Sequence, residues 1–125
     1  METYGAMTTE LGLMDAPPEK LVLMLLDGAA SRLNSAIAAM EGGSVAKKGE
    51  LISKSISIIG YLSSILDRDP GPEIADNLSE LYDYMVRRLL AANLNDDQVA
   101  IREVVGLLGE VRSGWSEMMT MSAEK

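Results

Sequence analysis

Between residues 22 and 40 apolar side chains recur as Val22, Leu26, Ala29, Leu33, Ala36 and Met40, at spacings of 4, 3, 4, 3 and 4. That rhythm keeps a stripe on one side of a helix, and a strand, whose side chains alternate, cannot use it. Leu25 and Ile37 widen the stripe to an ordinary core face. The run Leu21 to Leu26 goes further, because six consecutive apolar residues step about 100° each and point all round the axis. Either several neighbours surround that turn, or part of it is kept apolar for a partner.

Three more segments carry the same kind of seam. Ile52, Ser55, Ile59, Leu62 and Leu66 form one within a helix expected from about Val45 to Leu66, with Leu51, Ile56, Ile58 and Ile65 on its flanks. Its apolar arc is wider than the roughly 100° stripe of a typical surface helix, so part of it is expected outside the core. A third helix, from about Glu73 to Asn93, is expected to bury Ile74, Leu78, Leu81, Tyr82, Met85, Leu89 and Ala92. The fourth carries Ile101, Val104, Leu108, Val111, Trp115 and Met118. The four seams are not repeats of one another.

The breaks between them are explicit. Asp15-Ala16-Pro17-Pro18 starts the first helix, since proline in the first turn forgoes an N–H that would lack a partner anyway. Glu41-Gly42-Gly43-Ser44 ends it and offers Ser44 as the next N-cap. Asp67-Arg68-Asp69-Pro70-Gly71-Pro72 separates the second and third helices, and Asn93 to Asp97 the third and fourth, with Asn95, Asp96 or Asp97 as cap. Connections this short force antiparallel neighbours, so the fold class is all-α, an antiparallel up-down-up-down four-helix bundle. The bundle is expected over residues 17–119. Residues 1–16 precede it as a partly ordered N-terminal segment, either a frayed end or a stretch that docks its apolar side chains on the bundle, and 120–125 follow as a frayed tail.

A length of 125 residues suits one domain, and a core of aliphatic and thioether groups (nine Met, no Phe, one Trp) suits helices. The absence of both Cys and His removes thiol nucleophiles, Ser-His triads, Cys or His zinc sites and disulfides. Glu2, Glu10, Asp15 and Glu19 against Lys20 alone do not make a signal peptide, so the chain reads as unsecreted. No contiguous apolar run approaches the roughly 20 residues that span a bilayer, so it is not read as a membrane protein. A net charge of −8, with Lys47-Lys48 and Arg87-Arg88 as the basic clusters, argues against nucleic acid.

Carboxylates are plentiful, yet Glu73, Asp76, Glu80, Asp83, Glu103, Glu110 and Glu117 lie mostly off the seams and read as a solvated face. Asp67 and Asp69, like Asp96 and Asp97, read as helix caps and lack the further oxygen ligands of a calcium loop. Asp27 reads as a surface contact, and Arg87 and Arg88 as partners of carboxylates on a neighbouring helix or partner. No catalytic, cofactor-binding or metal site is expected.

The faces away from the core say more. The first helix carries Met24, Gly28, Ser31 and Ser35 there, and the fourth Gly106, Gly109 and Ser113. Glycine within a helix costs about 1 kcal/mol relative to alanine, which is either tolerated drift or the floor of a shallow docking groove. Leu23, Met24, Ile58, Tyr61, Ile65, Tyr84 and Leu90 add apolar surface outside the seams, and methionine adapts to varied partners. These features describe a small helical binding protein with an acidic exterior.

Three blocks carry a resemblance. Pro18-Glu19-Lys20-Leu21-Val22-Leu23-Met24-Leu25-Leu26-Asp27-Gly28-Ala29 is similar to the pattern S-P-E-E-L-V-L-M-L-Y-D-G-A. Glu73 to Leu78 leads on to Leu81-Tyr82-Asp83-Tyr84-Met85-Val86-Arg87-Arg88-Leu89 and Ala92-Asn93. Glu103-Val104-Val105, Leu107-Leu108 and Arg112 precede Trp115. In this order the blocks resemble the flagellar export chaperone family that binds flagellin, FliS, over Ala16 to Trp115. Pro17 stands where the family usually has the capping Ser, and Leu26 where it usually has Tyr.

The resemblance implies a cytoplasmic bundle that holds the disordered C-terminal segment of flagellin 1:1, prevents premature polymerisation, and presents it to the flagellar type III export gate. It also implies an N-terminal segment able to cover the client groove. Tyr4, Met7 and Leu11 are the candidates for that cap, although the family's Asn-Ala-Tyr motif is not matched. The alternative is a non-catalytic helical adaptor or regulator of another flagellar or secretion protein.

Overall fold

The computed structural model describes residues 18–66 and 71–123. Within them run four helices, α1 (Pro18–Glu41), α2 (Val45–Ser64), α3 (Pro72–Asn95) and α4 (Gln98–Ala123), and no strand. α1 packs against α2 and α4, and α3 closes the square opposite α1 by packing more sparsely on the same two helices. The all-α up-down-up-down bundle is the observed fold. Asp15, the Asp67 to Pro70 break and the cap candidates Tyr4, Met7 and Leu11 lie outside the described residues. α4 stays helical through Ala123, beyond the Thr120 expected to begin a tail.

Each turn has a local cause. Past Glu41, Gly43 adopts φ 77°, a left-handed conformation that a side chain would strain. The Ser44 N–H then reaches the Ala39 carbonyl at 2.9 Å and the Gly43 N–H that of Met40 at 3.1 Å, so two terminal carbonyls of α1 gain donors. Ser44 is the N-cap of α2 in backbone position, but its side chain makes no capping bond. Between α3 and α4 two residues suffice. Asp96 takes the left-handed position at φ 53°, while Asp97 directs its N–H to the Ala92 carbonyl (3.1 Å) and accepts the Ala100 N–H on its carboxylate (3.1 Å). Asp97 is thus the side-chain cap of α4.

The left-handed aspartate is held from a third helix. Lys48, in the first turns of α2, is only 5% exposed; its ammonium pairs with the Asp96 carboxylate and donates to the Asn93 carbonyl at 3.0 Å. Of the basic pair Lys47-Lys48, only Lys47 is exposed. The charge of Lys48 is spent inside the protein, tying α2 to the α3–α4 turn.

The core is the four seams brought together. Leu25, Leu26, Ala29, Leu33, Ala36 and Ile37 from α1 meet Ile52, Ile59 and Leu62 from α2, Met85, Leu89 and Ala92 from α3, and Ile101, Val104 and Leu108 from α4. Ser55, expected in the α2 seam, is fully buried and donates its hydroxyl to the Ala29 carbonyl at 3.0 Å, so no polar atom is stranded. By composition Glu19–Glu41 is long and apolar enough to cross a membrane, but its seam is spent on the other helices, and Asp27 and Arg32 sit mid-length.

Three expectations are corrected here. Ile58, assigned to the partner surface, is 0% exposed, because α1 packs so broadly on α2 that the wide apolar arc lies inside. Ile74, assigned to the core, is 54% exposed, since the α3 seam runs back from Tyr82 by seven residues to buried Ala75, one residue and about 100° away. Met118, assigned to the α4 seam, is 45% exposed near the end of the bundle.

Leu33→Ala should lower stability in urea denaturation by about 2–5 kcal/mol, whereas Leu90→Ala, at an exposed position, should change it by about 0.5 kcal/mol or less. Ile58→Asp should abolish the helical circular dichroism signal as Leu33→Asp does. A folded Ile58→Asp protein would contradict its place in the core.

Candidate functional site

The two ends of the bundle differ in chemistry. At the end where α1 and α3 begin and α2 and α4 finish, the seams leave an apolar pocket of about 140 Å³. Every helix contributes to it: Val22 from α1, Leu62 from α2 with Ile65 and Leu66 just past its end, Ile74, Ala75, Leu78 and Tyr82 from α3, and Val111, Trp115 and Met118 from α4. Its inner wall is rigid core. Tyr82 is 3% exposed, and burial pushes its phenol pKa up to about 12. The outer wall is open, formed by exposed Ile74 and Met118 and half-buried Trp115, whose indole N–H donates to the Glu19 carbonyl at 3.0 Å.

At the opposite end lies a more open, polar pocket of about 240 Å³ beside Lys48, Asp96, Ser44 and Gln98. Near it, Val45, Leu94 and Val99 are the most exposed large apolar side chains described, at 70%, 83% and 74%, with Leu90 one turn inside at 56%. The sequence reading picked out Leu90 and missed the other three. Their signal was their position off every seam at helix ends.

The α1–α4 edge has a third character. Arg112 Nε meets Asp27 Oδ1 at 2.6 Å, and toward the other end Arg102 stands 4.0 Å from Glu41. Because the helices are antiparallel, Ser31 on α1 and Gly106 and Gly109 on α4 fall between these two pairs. All three are exposed, and a Cβ on either glycine would meet nothing within 4 Å. Neither glycine is required by the bundle itself. Gly28 is half-buried; its carbonyl accepts the Arg32 guanidinium at 3.3 Å.

On the α3–α4 edge, Tyr84 donates to Glu103 Oε2 at 2.6 Å and Arg88 Nε donates to Oε1 at 2.8 Å. Tyr84, assigned to the apolar partner surface, is half-buried in this polar network instead. Arg88 finds the neighbouring-helix carboxylate expected for it. The Tyr84 hydroxyl, and after it the Arg88 guanidinium, hold the Glu103 carboxyl below its usual range.

The assigned surface is therefore not a single patch. Leu23 (half-buried) and Met24 (37% exposed) stand on α1, and Tyr61 (half-buried) on α2. The Ser55–Ala29 bond sets the antiparallel register so that Leu23 and Tyr61 lie at one level, near the apolar pocket that Ile65 lines. Leu90 lies toward the other end. Among the described residues no cluster of three or more acidic, His or Cys side chains could hold a metal ion.

A helical surface of this kind selects no chemistry by itself, and relatives supply the context. The family described as Flagellar protein FliS matches residues 1–122. The chain belongs to the FliS family. It is 48% identical over 119 residues to the flagellar secretion chaperone FliS of Salmonella typhimurium, covering 94% of this chain and 88% of that protein. It is 44% identical over 115 residues to the flagellar secretion chaperone FliSB of Pseudomonas aeruginosa, covering 92% and 91%. With the Bacillus subtilis flagellar secretion chaperone FliS it shares 33% identity over 102 residues, covering 82% and 75%. The FliS resemblance carried by the three sequence blocks is thus the family itself.

Because the folded-state pKa of Glu103 is depressed, its stabilising contribution is fully present above the ordinary carboxylate pKa and is lost as pH falls through the lowered value. Wild type should therefore lose more stability than Glu103→Gln between about pH 7 and about pH 3 in chemical denaturation, and equal losses would refute the network's role. Gly109→Ala should raise stability by up to about 1 kcal/mol, because the helix gains propensity and nothing is displaced.

Proposed function

We propose that this FliS-family chain is a cytoplasmic, non-catalytic export chaperone that binds the disordered C-terminal segment of flagellin 1:1. It thereby prevents premature polymerisation and assists delivery to the flagellar type III export apparatus. The observation that supports this reading best is the apolar end pocket on a chain of this family. The pocket is walled by apolar side chains from all four sides of the bundle and has no acid-base pair or metal cluster in its walls. A segment that is unfolded when free meets the entropy of ordering with a few deeply placed apolar anchors, and a four-helix surface accepts amphipathic turns between its ridges.

The partner-facing residues are proposed from their apolar or small side chains and their places on the bundle. Leu23, Met24, Tyr61 and Ile65 surround the pocket end, Leu90 offers a second apolar contact, and the strip of Ser31, Gly106 and Gly109 lets a client backbone lie close on α1 and α4. Gly28 contributes its small size to the α1 side. Tyr4, Met7 and Leu11 are proposed to cover the client site when no client is bound.

Titration calorimetry with a C-terminal flagellin peptide from the same organism is expected to give a 1:1 complex. No heat of binding at tens of micromolar would overturn the proposal. Ile74→Asp, on the exposed rim, should weaken binding about tenfold or more while preserving helicity. Tighter binding of another flagellar or secretion protein in competition would instead favour an adaptor role.

A further inference from the structure

We infer that Trp115 is a latch that couples filling of the end pocket to the first turn of α1. The inference deepens the reading of that pocket as the client site and rests on it for its biological meaning, although its physics stands on the free protein. One side chain does two jobs: the indole walls the pocket, and its N–H holds the Glu19 carbonyl at 3.0 Å from a helix 96 residues further along the chain.

The pocket's walls do not yield equally. Leu62, Ala75 and Tyr82 are each at most 3% exposed and belong to a densely packed interior, whereas Trp115 is half-buried with solvent on its other side. A side chain entering the pocket therefore displaces the indole outward before it moves the core. A shift of about half an ångström takes the bond to Glu19 from 3.0 Å to the edge of useful hydrogen-bond length.

The turn so released is the first of α1, whose backbone N–H groups have no acceptor within the helix. Loosening is confined, because the Asp27–Arg112 pair two turns on fastens α1 to α4 a second time. Occupation of the pocket is thereby transmitted to the few residues around Glu19, where the chain preceding the bundle enters it.

The test uses the full-length protein without client. Amide exchange is read at Leu23, whose N–H pairs with the Glu19 carbonyl in a regular α-helix, and Trp115 emission is read as that of the chain's sole tryptophan. Trp115→Phe, which keeps an aromatic wall and removes the donor, should raise Leu23 exchange about fivefold and leave Leu33 unchanged.

Ala75→Leu, which partly fills the pocket, should red-shift the emission and raise Leu23 exchange to a similar degree. Combining the two should add nothing further. Leu23 exchange unaltered by Ala75→Leu, or effects that multiply in the double variant, would overturn the latch, since a tryptophan that merely braces α1 responds to the first substitution alone. Should Ala75→Leu lose helicity, Val111→Leu, on a half-buried wall, carries the same expectation and the same refutation. A flagellin peptide that fails to bind would remove the client reading and leave these exchange results intact.

Discussion

Burial of four apolar seams against one another is the interaction on which everything else in this protein depends. Each seam is a stripe too narrow to stabilise a lone helix in water, where helical stability comes mainly from packing an amphipathic face. Joined by turns of a few residues, the helices supply one another's missing surface, and residues such as Leu33, Ile52, Leu89 and Val104 become fully enclosed. At about 1.5–3 kcal/mol for each large aliphatic side chain removed from water, this is the term that offsets the ordering of the chain. The polar ties then choose among arrangements that the seams would allow. Ser55 on the Ala29 carbonyl fixes the register of α1 and α2, and Glu103 with Tyr84 and Arg88 fixes that of α3 and α4.

The two ends of the bundle are finished differently, and the difference has functional weight. At one end a buried lysine, a left-handed aspartate and a capping aspartate lock three helices within a few residues. At the other, where α3 packs sparsely and begins beside a proline-glycine break, the seams stop short and leave an apolar pocket with a solvent-facing outer wall. A chaperone for an unfolded export substrate has use for such an asymmetry. The locked end ties the scaffold together, and the open end offers apolar surface.

The sequence alone determined the helices, their turns, the antiparallel topology and the family, because period, caps and glycine-proline breaks are local features. It narrowed the α4 cap to Asn95, Asp96 or Asp97 and left Arg88 a carboxylate on a neighbouring helix or a partner; the structure selects Asp97 and Glu103. Only the tertiary structure decided which flanking residues were surplus. Ile58 and Ile65 look alike on a helical wheel, yet broad packing of α1 encloses the first, while the second lies at the bundle end and lines a pocket. Ile74 lost its expected place to Ala75 because the phase of a seam is set over several turns by neighbours. Lys48 went inward to a carboxylate 48 residues away, and Trp115 reached a carbonyl 96 residues away. Periodicity records which way a side chain leaves its own helix; what it meets there depends on the other three.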